Sequence, residues 1–549
     1  MSPSANIVHR LQRMAEEVPE RPALILGDDV WSFRRLLERV ERVAGGLRRE
    51  GLESEQRAVV MIPMSGELYA ALLGVLQIGA VAVFLDPWVG VRALRRLARL
   101  AEPQAFLGSS RAHWLRLLVP ALRGLPVTVT TGRRLGPFLA RRTLEELAEE
   151  PRDPRVHPRQ EEHRALITLT TGSSGEPKGA DRPHGFLLAQ HRALAETFPY
   201  REGDVDMPMF PVFALNNLAC GVPSVVPEMD FRRVDRVDGR RLLQRMLDHG
   251  VTTATASPPF FDALAEALES GSGLDSEKGE RPKLRRILTG GAPVSDSQLR
   301  RWRRALPETE IVVAYGSTEA EPVAHIDADE RLRLSAESEH FRGFCAGRPV
   351  PAVEARLVRI EAGALTLGDG GWQALEVAQG EVGELVVTGD HVCRRYFRSP
   401  EAEAANKITD GDGRVWHRMG DTGCFDPAGR FWLVGRVHST VRRGDELLHP
   451  QLVEAVARGE DSRIRRAALV GLGTEDERRA VVVVESAGGA AVPADDLRSD
   501  VLSLDVQERL RAAGFAVDEV RVSPKPLPVD PRHASKIDYQ RLRRRLGGR

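Results

Sequence analysis

The sequence lacks an excess of charge of either sign. Its 549 residues contain 78 basic and 78 acidic side chains, so the formal net charge is zero. Proteins whose main partner is nucleic acid or an anionic membrane usually have a strongly basic surface. The balanced composition therefore predicts that neither nucleic acid nor an anionic membrane is the main partner, and no nucleic-acid partner is expected. The short basic ending RLRRRLGGR is expected to be the solvated face and tail of a last helix.

Cysteine is scarce and scattered. Its four positions form no CxxC pair and no Cys/His cluster, so neither a zinc site nor a disulfide framework is predicted: Cys220, Cys345, Cys393 and Cys424. The opening MSPSANIVHRLQRMAEEVPERP has no apolar core of the kind that a secretory signal needs. The reducing cytoplasm is therefore the expected compartment.

One run is nearly uncharged over a length that could span a bilayer: LYAALLGVLQIGAVAVFLDP, from Leu68. It contains Gln77 and two internal glycines, and it changes to β-branched residues before Asp86-Pro87. These features favour a buried helix followed by a buried strand. We therefore expect no transmembrane segment.

Helical and strand patterns alternate along most of the chain. Residues 22–51 indicate a hairpin and an amphipathic helix, AVVMIPMS indicates a buried strand, and similar units follow. After about residue 340 the segments become short and β-rich, and from about residue 437 mixed α and β patterns return. This predicts an α/β protein with a large N-terminal domain, residues 1–435, built from two helix-covered sheets and a β-rich subdomain at about 340–435. A small mobile α+β domain, residues 436–549, should follow.

The stretch TLTTGSSGEPKGADRPHG, residues 168–185, follows a strand-like run and combines hydroxyl groups, glycines and Lys178. Hydroxyl donors, closely approaching backbone and one compact cation suit a polyphosphate. The order Gly175-Glu176-Pro177-Lys178-Gly179 is not that of a P-loop, which has glycine immediately before the lysine and a hydroxyl after it. A flexible surface turn is the alternative, because Gly/Ser/Thr clusters are common in loops.

Five segments in order resemble the signatures of the acyl-adenylate-forming superfamily, which includes acyl-CoA synthetases, luciferase and peptide-synthetase adenylation domains. They are TTGSSGEPKG, GGAPVS at Gly290, AYGSTEAEP at Ala314, WHRMGDTGCFDPAGRFWLVGR at Trp416 and PRHASKIDY at Pro531. The resemblance spans nearly the whole chain. It implies ATP and Mg²⁺ as cofactors and a carboxylic acid as the small-molecule substrate.

The resemblance also implies residue roles. Tyr315 would stack on adenine, Asp421 would accept hydrogen bonds from the ribose hydroxyls, and Glu319 would help to hold Mg²⁺. The implied ATP-binding set is Thr170, Thr171, Gly172, Ser173, Ser174, Gly175, Lys178, Gly291, Ala292, Tyr315, Gly316, Asp421 and Arg436. Without that context, Tyr315 would be a core tyrosine and Asp421 a solvated turn residue.

The implied catalytic residues are Lys536, Thr318 and Glu319. Lys536 would stabilise the negative charge that develops as the carboxylate attacks the α-phosphate, and Thr318 would contact that phosphate. Ser535 stands where the family motif has glycine.

Departures from the common pattern resemble one branch, the β-lactone synthetases of bacterial olefin biosynthesis. Pro211 replaces a histidine, and His438 occupies the acidic hinge position. The branch implies a 2-alkyl-3-hydroxy fatty acid whose own hydroxyl attacks the activated carbonyl, which needs no external thiol. Phe210, Phe213 and Leu215 are the candidate acyl pocket, with ordinary core packing as the alternative.

Two other functions stay open at this stage. One is a long-chain fatty acyl-CoA ligase or fatty acyl-AMP ligase, and the other is a silent acyl- or nucleotide-binding protein. Lys178, Glu319, Asp421 and Lys536 argue against silence. Other enzymes of a lipid or olefin pathway are the expected partners.

Overall fold

A computed structural model describes residues 4–85, 90–133, 136, 139–171, 177–231, 233–271, 281–337, 343–444, 446–459, 461–473, 478–487, 497–529 and 537–547. Five predicted site residues lie outside the described residues: Gly172, Ser173, Ser174, Gly175 and Lys536. Thr170 and Thr171 end a described strand, but their side chains are not part of the description.

The described α-helices are α1 Val8–Glu17, α2 Phe33–Arg49, α3 Gly66–Gln77, α4 Val91–Ala101, α5 Ser110–Leu117, α6 Leu144–Ala148, α7 His184–Thr197, α8 Pro211–Cys220, α9 Gly239–Asp248, α10 Pro258–Glu269, α11 Asp296–Ala305, α12 Ala328–Ala336, α13 Pro400–Asn406, α14 Pro450–Arg458, α15 Leu497–Ala512 and α16 Tyr539–Arg545. Short 3₁₀ helices occupy Pro120–Leu122, Val234–Arg236, Gly371–Ala374 and Val437–Ser439.

The described strands are β1 Pro22–Leu26, β2 Asp29–Ser32, β3 Arg57–Met61, β4 Val81–Phe84, β5 Ala105–Ser109, β6 Val127–Thr131, β7 Arg142–Thr143, β8 Arg164–Thr171, β9 Pro177–Pro183, β10 Asp206–Pro208, β11 Ser224–Val225, β12 Thr253–Ala256, β13 Arg286–Thr289, β14 Glu310–Ser317, β15 Ala320–Asp327, β16 Phe344–Pro349, β17 Glu354–Val358, β18 Gly383–Thr388, β19 Lys407–Thr409, β20 Val415–Phe425, β21 Phe431–Arg436, β22 Val441–Arg443, β23 Glu446–Leu448, β24 Ile464–Leu472, β25 Arg479–Ser486 and β26 Glu519–Ser523.

A seven-stranded sheet has the order β7-β6-β5-β3-β4-β8-β9 and is parallel except for the β8–β9 hairpin. Helices cover both faces, so its central strands are buried and almost entirely apolar, as parallel sheets require. The long uncharged run forms α3 and then β4, and both are buried. The expected buried helix and strand are therefore confirmed. No helix in the described part of the chain is both long and apolar enough to cross a membrane.

A fourteen-stranded sheet contains all the other described strands from β1 to β21. Its half with the order β1-β11-β10-β12-β13-β14 is parallel, and its half with the order β14-β15-β16-β21-β20-β18-β17 is antiparallel. The β-rich segment after residue 340 thus continues this sheet through the pairing of β15 with β16. The mixed α/β class and the two helix-covered sheets are confirmed.

The C-terminal residues form a three-stranded sheet, β24-β25-β26, with α14 and α15 on one side. A second apolar cluster on the other face includes Leu527 and Leu542. This small α+β unit has its own core, as its size predicts.

A buried ion pair fixes the antiparallel half of the large sheet. Arg418 on β20 contacts Glu384 on β18 at 2.6 Å, and both side chains are almost fully buried. Arg418 also donates to the carbonyls of Glu361 and Ala405. Because Arg418 lies three residues before Asp421, the pair anchors the strand that carries this predicted site residue.

We expect Glu384→Ala to lower the free energy of unfolding of the large N-terminal part of the chain, which contains the two large sheets, by about 3–5 kcal/mol. The substitution leaves a buried guanidinium without its counter-ion. The unfolding midpoint in denaturant measures the effect. Glu17→Ala, which removes an exposed pair with Arg13, is the control and should leave the midpoint unchanged. Equal midpoints for the two variants would contradict this account.

Candidate active site

A cleft of about 780 Å³ lies where the large part meets the C-terminal residues. We call it the junction cleft. Six residues predicted to bind ATP line it: Gly291, Ala292, Tyr315, Gly316, Asp421 and Arg436. Glu454, Ile537 and Tyr539 line it from the C-terminal side. The fold thus brings residues that are far apart in sequence to one cleft.

The carboxylate of Asp421 is held on both oxygens. The hydroxyl of Tyr315, on β14, donates to Oδ2 at 2.7 Å, and Nε of Arg436 lies 2.9 Å from Oδ1. Asp421 and Arg436 are also paired across β20 and β21. Burial raises the pKa of the Tyr315 hydroxyl well above its ordinary value, and the neighbouring carboxylate adds to the shift. The phenol therefore stays protonated and remains a donor.

Two glycines let the loops of the cleft pass close to one another. A Cβ atom at Gly290 would lie 2.8 Å from the carbonyl oxygen of Ala314, and one at Gly316 would lie 2.8 Å from that of Ala320. Gly291 has a φ of 78°, which favours glycine. After this loop, Ser295 caps α11 in a capping box with Gln298. Neighbouring backbone atoms thus leave no room for a larger side chain at Gly290 in GGAPVS or at Gly316 in AYGS.

A second cavity of about 430 Å³, the acyl cavity, adjoins the junction cleft. The two share Val234, Gly291, Ala314, Gly316 and Arg436. Seven further predicted residues line the acyl cavity: Lys178, Phe210, Phe213, Leu215, Thr318, Glu319 and His438. Its remaining wall is largely apolar and reaches the ends of β3 and β4 in the other sheet, at Ile62, Met64, Phe84 and Leu85.

Tyr396 organises the charged end of the acyl cavity. Its hydroxyl donates to Oε1 of Glu319 at 2.9 Å. The ammonium nitrogens of Lys178 and Lys407 lie 5.5 and 4.9 Å from the centre of its ring. Burial lowers the pKa of Lys178, and the Glu319 carboxylate opposes that shift. Sequence reasoning assigned no role to Tyr396 or Lys407.

Further polar groups reach the acyl cavity beside Thr318. Arg182 donates to the carbonyl of Thr318, and burial raises the pKa of Glu321 to about 7. The buried hydroxyls of Thr168 and Thr289 also line this cavity and have no partner among the described residues. Buried polar atoms normally find partners, so these hydroxyls suit a ligand with polar groups. One carboxylate beside bound phosphates is a usual Mg²⁺ environment, and Glu319 fits it.

A hydrogen bond joins Tyr539 to Glu454 on the C-terminal side of the junction cleft. Tyr539 donates to Oε1 of Glu454 at 2.7 Å, and the Leu469 amide donates to the same oxygen at 2.8 Å. Burial raises the pKa of Glu454 to about 8. Because Tyr539 lies three residues after the predicted catalytic lysine, Lys536, this bond fixes the chain close to that position in sequence.

The histidines divide into packing and cavity residues. His184, the first residue of α7, accepts from the amide of Ile7, and His191 contacts Asn216 at 2.9 Å. Neither lines either cavity among the described residues. His417 lines the acyl cavity, and burial lowers its pKa to about 3, so it is neutral. His438 is exposed, in the 3₁₀ helix after Arg436.

The chain belongs to the AMP-binding enzyme family, because the model of that family matches residues 11–397. The olefin beta-lactone synthetase of Stenotrophomonas maltophilia is 34% identical to it, over 99% of this chain and 98% of that protein. The olefin beta-lactone synthetase of Xanthomonas campestris pv. campestris is 33% identical, over 99% and 97%. The resemblances stated from the sequence are thereby confirmed.

Solved structures agree with the fold. ATP-bound MatB from Rhodopseudomonas palustris superposes with a TM-score of 0.78 at 21% identity, covering 99% of both chains. The amide bond synthetase McbA from Marinactinospora thermotolerans gives a TM-score of 0.76 at 22% identity, covering 98% of this chain and 99% of McbA.

We expect Tyr396→Phe to weaken the binding of Mg²⁺-ATP by about 10- to 100-fold, because a hydrogen bond to a charged group contributes about 1.5–3 kcal/mol. The aromatic ring between the two lysines is retained. Titration calorimetry measures the dissociation constant. Tyr200→Phe removes a comparable buried hydroxyl, bonded to Asn217 outside both cavities, and should bind as wild type does. Unchanged binding by the Tyr396 variant would refute the assigned role.

Glu454 predicts a pH-dependent stability of the C-terminal unit. Because its folded pKa of about 8 lies above the ordinary 4.5, the stability should fall as pH rises between these values, by at most about 5 kcal/mol. Glu454→Gln keeps an accepting oxygen but cannot ionise, so this component of the fall should disappear. Chemical denaturation at pH 5 and pH 8 measures it, with Glu508→Gln on the exposed side of α15 as control. The same pH dependence in all three proteins would contradict the prediction.

Proposed function

We propose that the protein activates a 2-alkyl-3-hydroxy fatty acid with ATP and closes it to a β-lactone, releasing AMP and pyrophosphate. The observation that carries this proposal is that the cleft around Asp421 adjoins a cavity with one charged end and a largely apolar remaining wall, and that the two share Gly291, Gly316 and Arg436. The adenosine in the first would extend its phosphates past these shared residues to the charged end of the second, where the acyl chain would also lie. The olefin beta-lactone synthetases that match over nearly the whole chain support the same substrate class.

In the first step, a carboxylate oxygen attacks the α-phosphorus, a C–O–P linkage forms, and pyrophosphate leaves. Tyr315 and Asp421 would hold adenine and ribose, and Lys178, Thr318 and the segment from Thr170 to Gly175 would contact the phosphates. Magnesium held by Glu319 and phosphate oxygens would neutralise the charge of the triphosphate. Lys536 would stabilise charge developing on the α-phosphate.

In the second step, the 3-hydroxyl oxygen attacks the activated carbonyl carbon, its proton departs, and the bond to AMP breaks. The nucleophile belongs to the same molecule, so the enzyme only has to orient it and exclude water. Phe210, Phe213 and Leu215 lie in the wall of the acyl cavity and would hold the alkyl chains. His438, at the edge of that cavity, would help to shape the hinge.

We propose that residues 436–549 move as a unit about this hinge and that residues 1–435 form the body of the enzyme. The Tyr539–Glu454 bond would then carry the Lys536 segment together with the unit. All four cysteines are free thiols, which supports a cytoplasmic location. Enzymes that supply the hydroxy acid or consume the lactone are the partners we propose.

Incubation with ATP, Mg²⁺ and a synthetic 2-alkyl-3-hydroxy acid, with and without CoA, tests the function by mass spectrometry. We expect AMP and a product lighter than the acid by one water without CoA, with a lactone carbonyl in its infrared spectrum. Lys536→Ala should reduce the rate by about 10²- to 10³-fold.

The 2-alkyl acid without a 3-hydroxyl is the matched substrate control. It should release pyrophosphate and, with hydroxylamine, give a hydroxamate but no lactone. A product formed only with CoA would establish an acyl-CoA ligase instead. Dehydration to an unsaturated acid would refute the lactone.

A further inference from the structure

One face of the seven-stranded sheet is covered by a single outer layer of helices. The layer consists of α4, α5 and the 3₁₀ helix Pro120–Leu122, which contact one another. Leu94 and Leu97 of α4 are buried in the cluster that covers this sheet face. The opposite side of α4 is polar and exposed.

This layer is strongly basic although the whole chain is neutral. Residues 90–133 contain eight arginines and one glutamate. The glutamate, Glu102, pairs with Arg398. Seven of the eight arginines are exposed: Arg92, Arg95, Arg96, Arg99, Arg111, Arg123 and Arg133. This layer therefore has a cationic surface, although the charges of the full sequence balance.

Two large apolar side chains stand out from the same layer. Trp114 is 58% exposed and Leu118 is 54% exposed. They lie one helical turn apart and so share one side of α5. The opposite side is fixed, because His113 contacts the Val129 carbonyl at 2.9 Å and Arg116 donates to the Leu122 carbonyl at 2.6 Å. The packing thus holds Trp114 outward.

We propose that this basic layer docks the enzyme onto an anionic lipid surface, with Trp114 and Leu118 inserted at the headgroup boundary. Tryptophan is enriched at that boundary, because its ring is apolar while its N–H needs a polar partner. Exposed arginines beside it gain electrostatic attraction to anionic headgroups. An acidic protein would also satisfy the arginines and the tryptophan, but the position of the layer beside the acyl cavity favours a lipid surface.

The location of the layer also fits a lipid-like substrate. Phe84 and Leu85 line the acyl cavity, and the N-cap of α4, Gly90, follows five residues after Leu85. At the other end of α4, Leu100 packs near Gly179, which is adjacent to Lys178. The proposed lipid surface would therefore lie alongside the elements that form the acyl cavity. Lipid binding itself does not depend on the proposed reaction.

Flotation of the full-length protein with vesicles tests the proposal. Vesicles of phosphatidylcholine alone are compared with vesicles containing one quarter phosphatidylglycerol. We expect binding to the anionic vesicles that weakens as salt is raised. Replacing Arg92, Arg95 and Arg99 by glutamine should lower the partition coefficient on the order of 100-fold. Trp114→Ser with Leu118→Ser should lower it at least about tenfold.

Matched variants distinguish binding through this surface from nonspecific binding to vesicles. Val501→Ser with Leu504→Ser removes another exposed apolar pair, on α15, and should bind as wild type does. Replacement of the exposed Arg240, Arg300 and Arg304 by glutamine controls for the loss of three charges. Absence of vesicle binding, equal binding to neutral vesicles, or equal losses in the control variants would overturn the proposal. Binding to poly-glutamate without binding to vesicles would indicate an acidic protein partner and would also overturn it.

Discussion

The contacts of the Asp421 carboxylate join the parts of the molecule that the candidate site depends on. Tyr315 comes from the last parallel strand of the large sheet, Asp421 from its antiparallel half, and Arg436 from the end of β21. Behind them, the buried Arg418–Glu384 pair holds β20 to β18. Since an unpaired buried charge is costly, each of these groups stabilises the position of the others. The two halves of the sheet are thereby fixed where the cleft opens.

Polar and apolar side chains are concentrated in different regions of the two adjoining cavities. Polar groups around Asp421 face the junction cleft, and aromatic and aliphatic side chains line much of the acyl cavity. At the charged end of the acyl cavity, Glu319 and Lys178 both contact the neutral side chain of Tyr396 in largely buried surroundings. Electrostatic interactions are stronger in such surroundings than in water, which suits a reaction that builds and releases a phosphate anhydride.

The buried helix and strand could be predicted from sequence, because the uncharged run from Leu68 contains its own helix and strand signals. The roles of Gly291 and Gly316 were implied by the resemblance of their motifs to those of the superfamily, and the structure adds the close backbone contacts of Gly290 and Gly316. The bond from Tyr396 to Glu319 joins residues 77 positions apart, and that from Tyr539 to Glu454 joins residues 85 apart. No periodicity or motif spacing encodes such contacts. The pairing of β15 with β16, which merges the β-rich segment into the large sheet, was missed for the same reason.

The central claim is that the substrate carboxylate becomes bonded to the α-phosphorus before the ring closes. A 2-alkyl-3-hydroxy acid labelled with ¹⁸O at both carboxylate oxygens tests this directly. If the acyl adenylate forms and the 3-hydroxyl displaces AMP, mass spectrometry will find one ¹⁸O in AMP and one in the lactone carbonyl. Label in inorganic phosphate with ADP as the other product, or unlabelled AMP, would contradict the account.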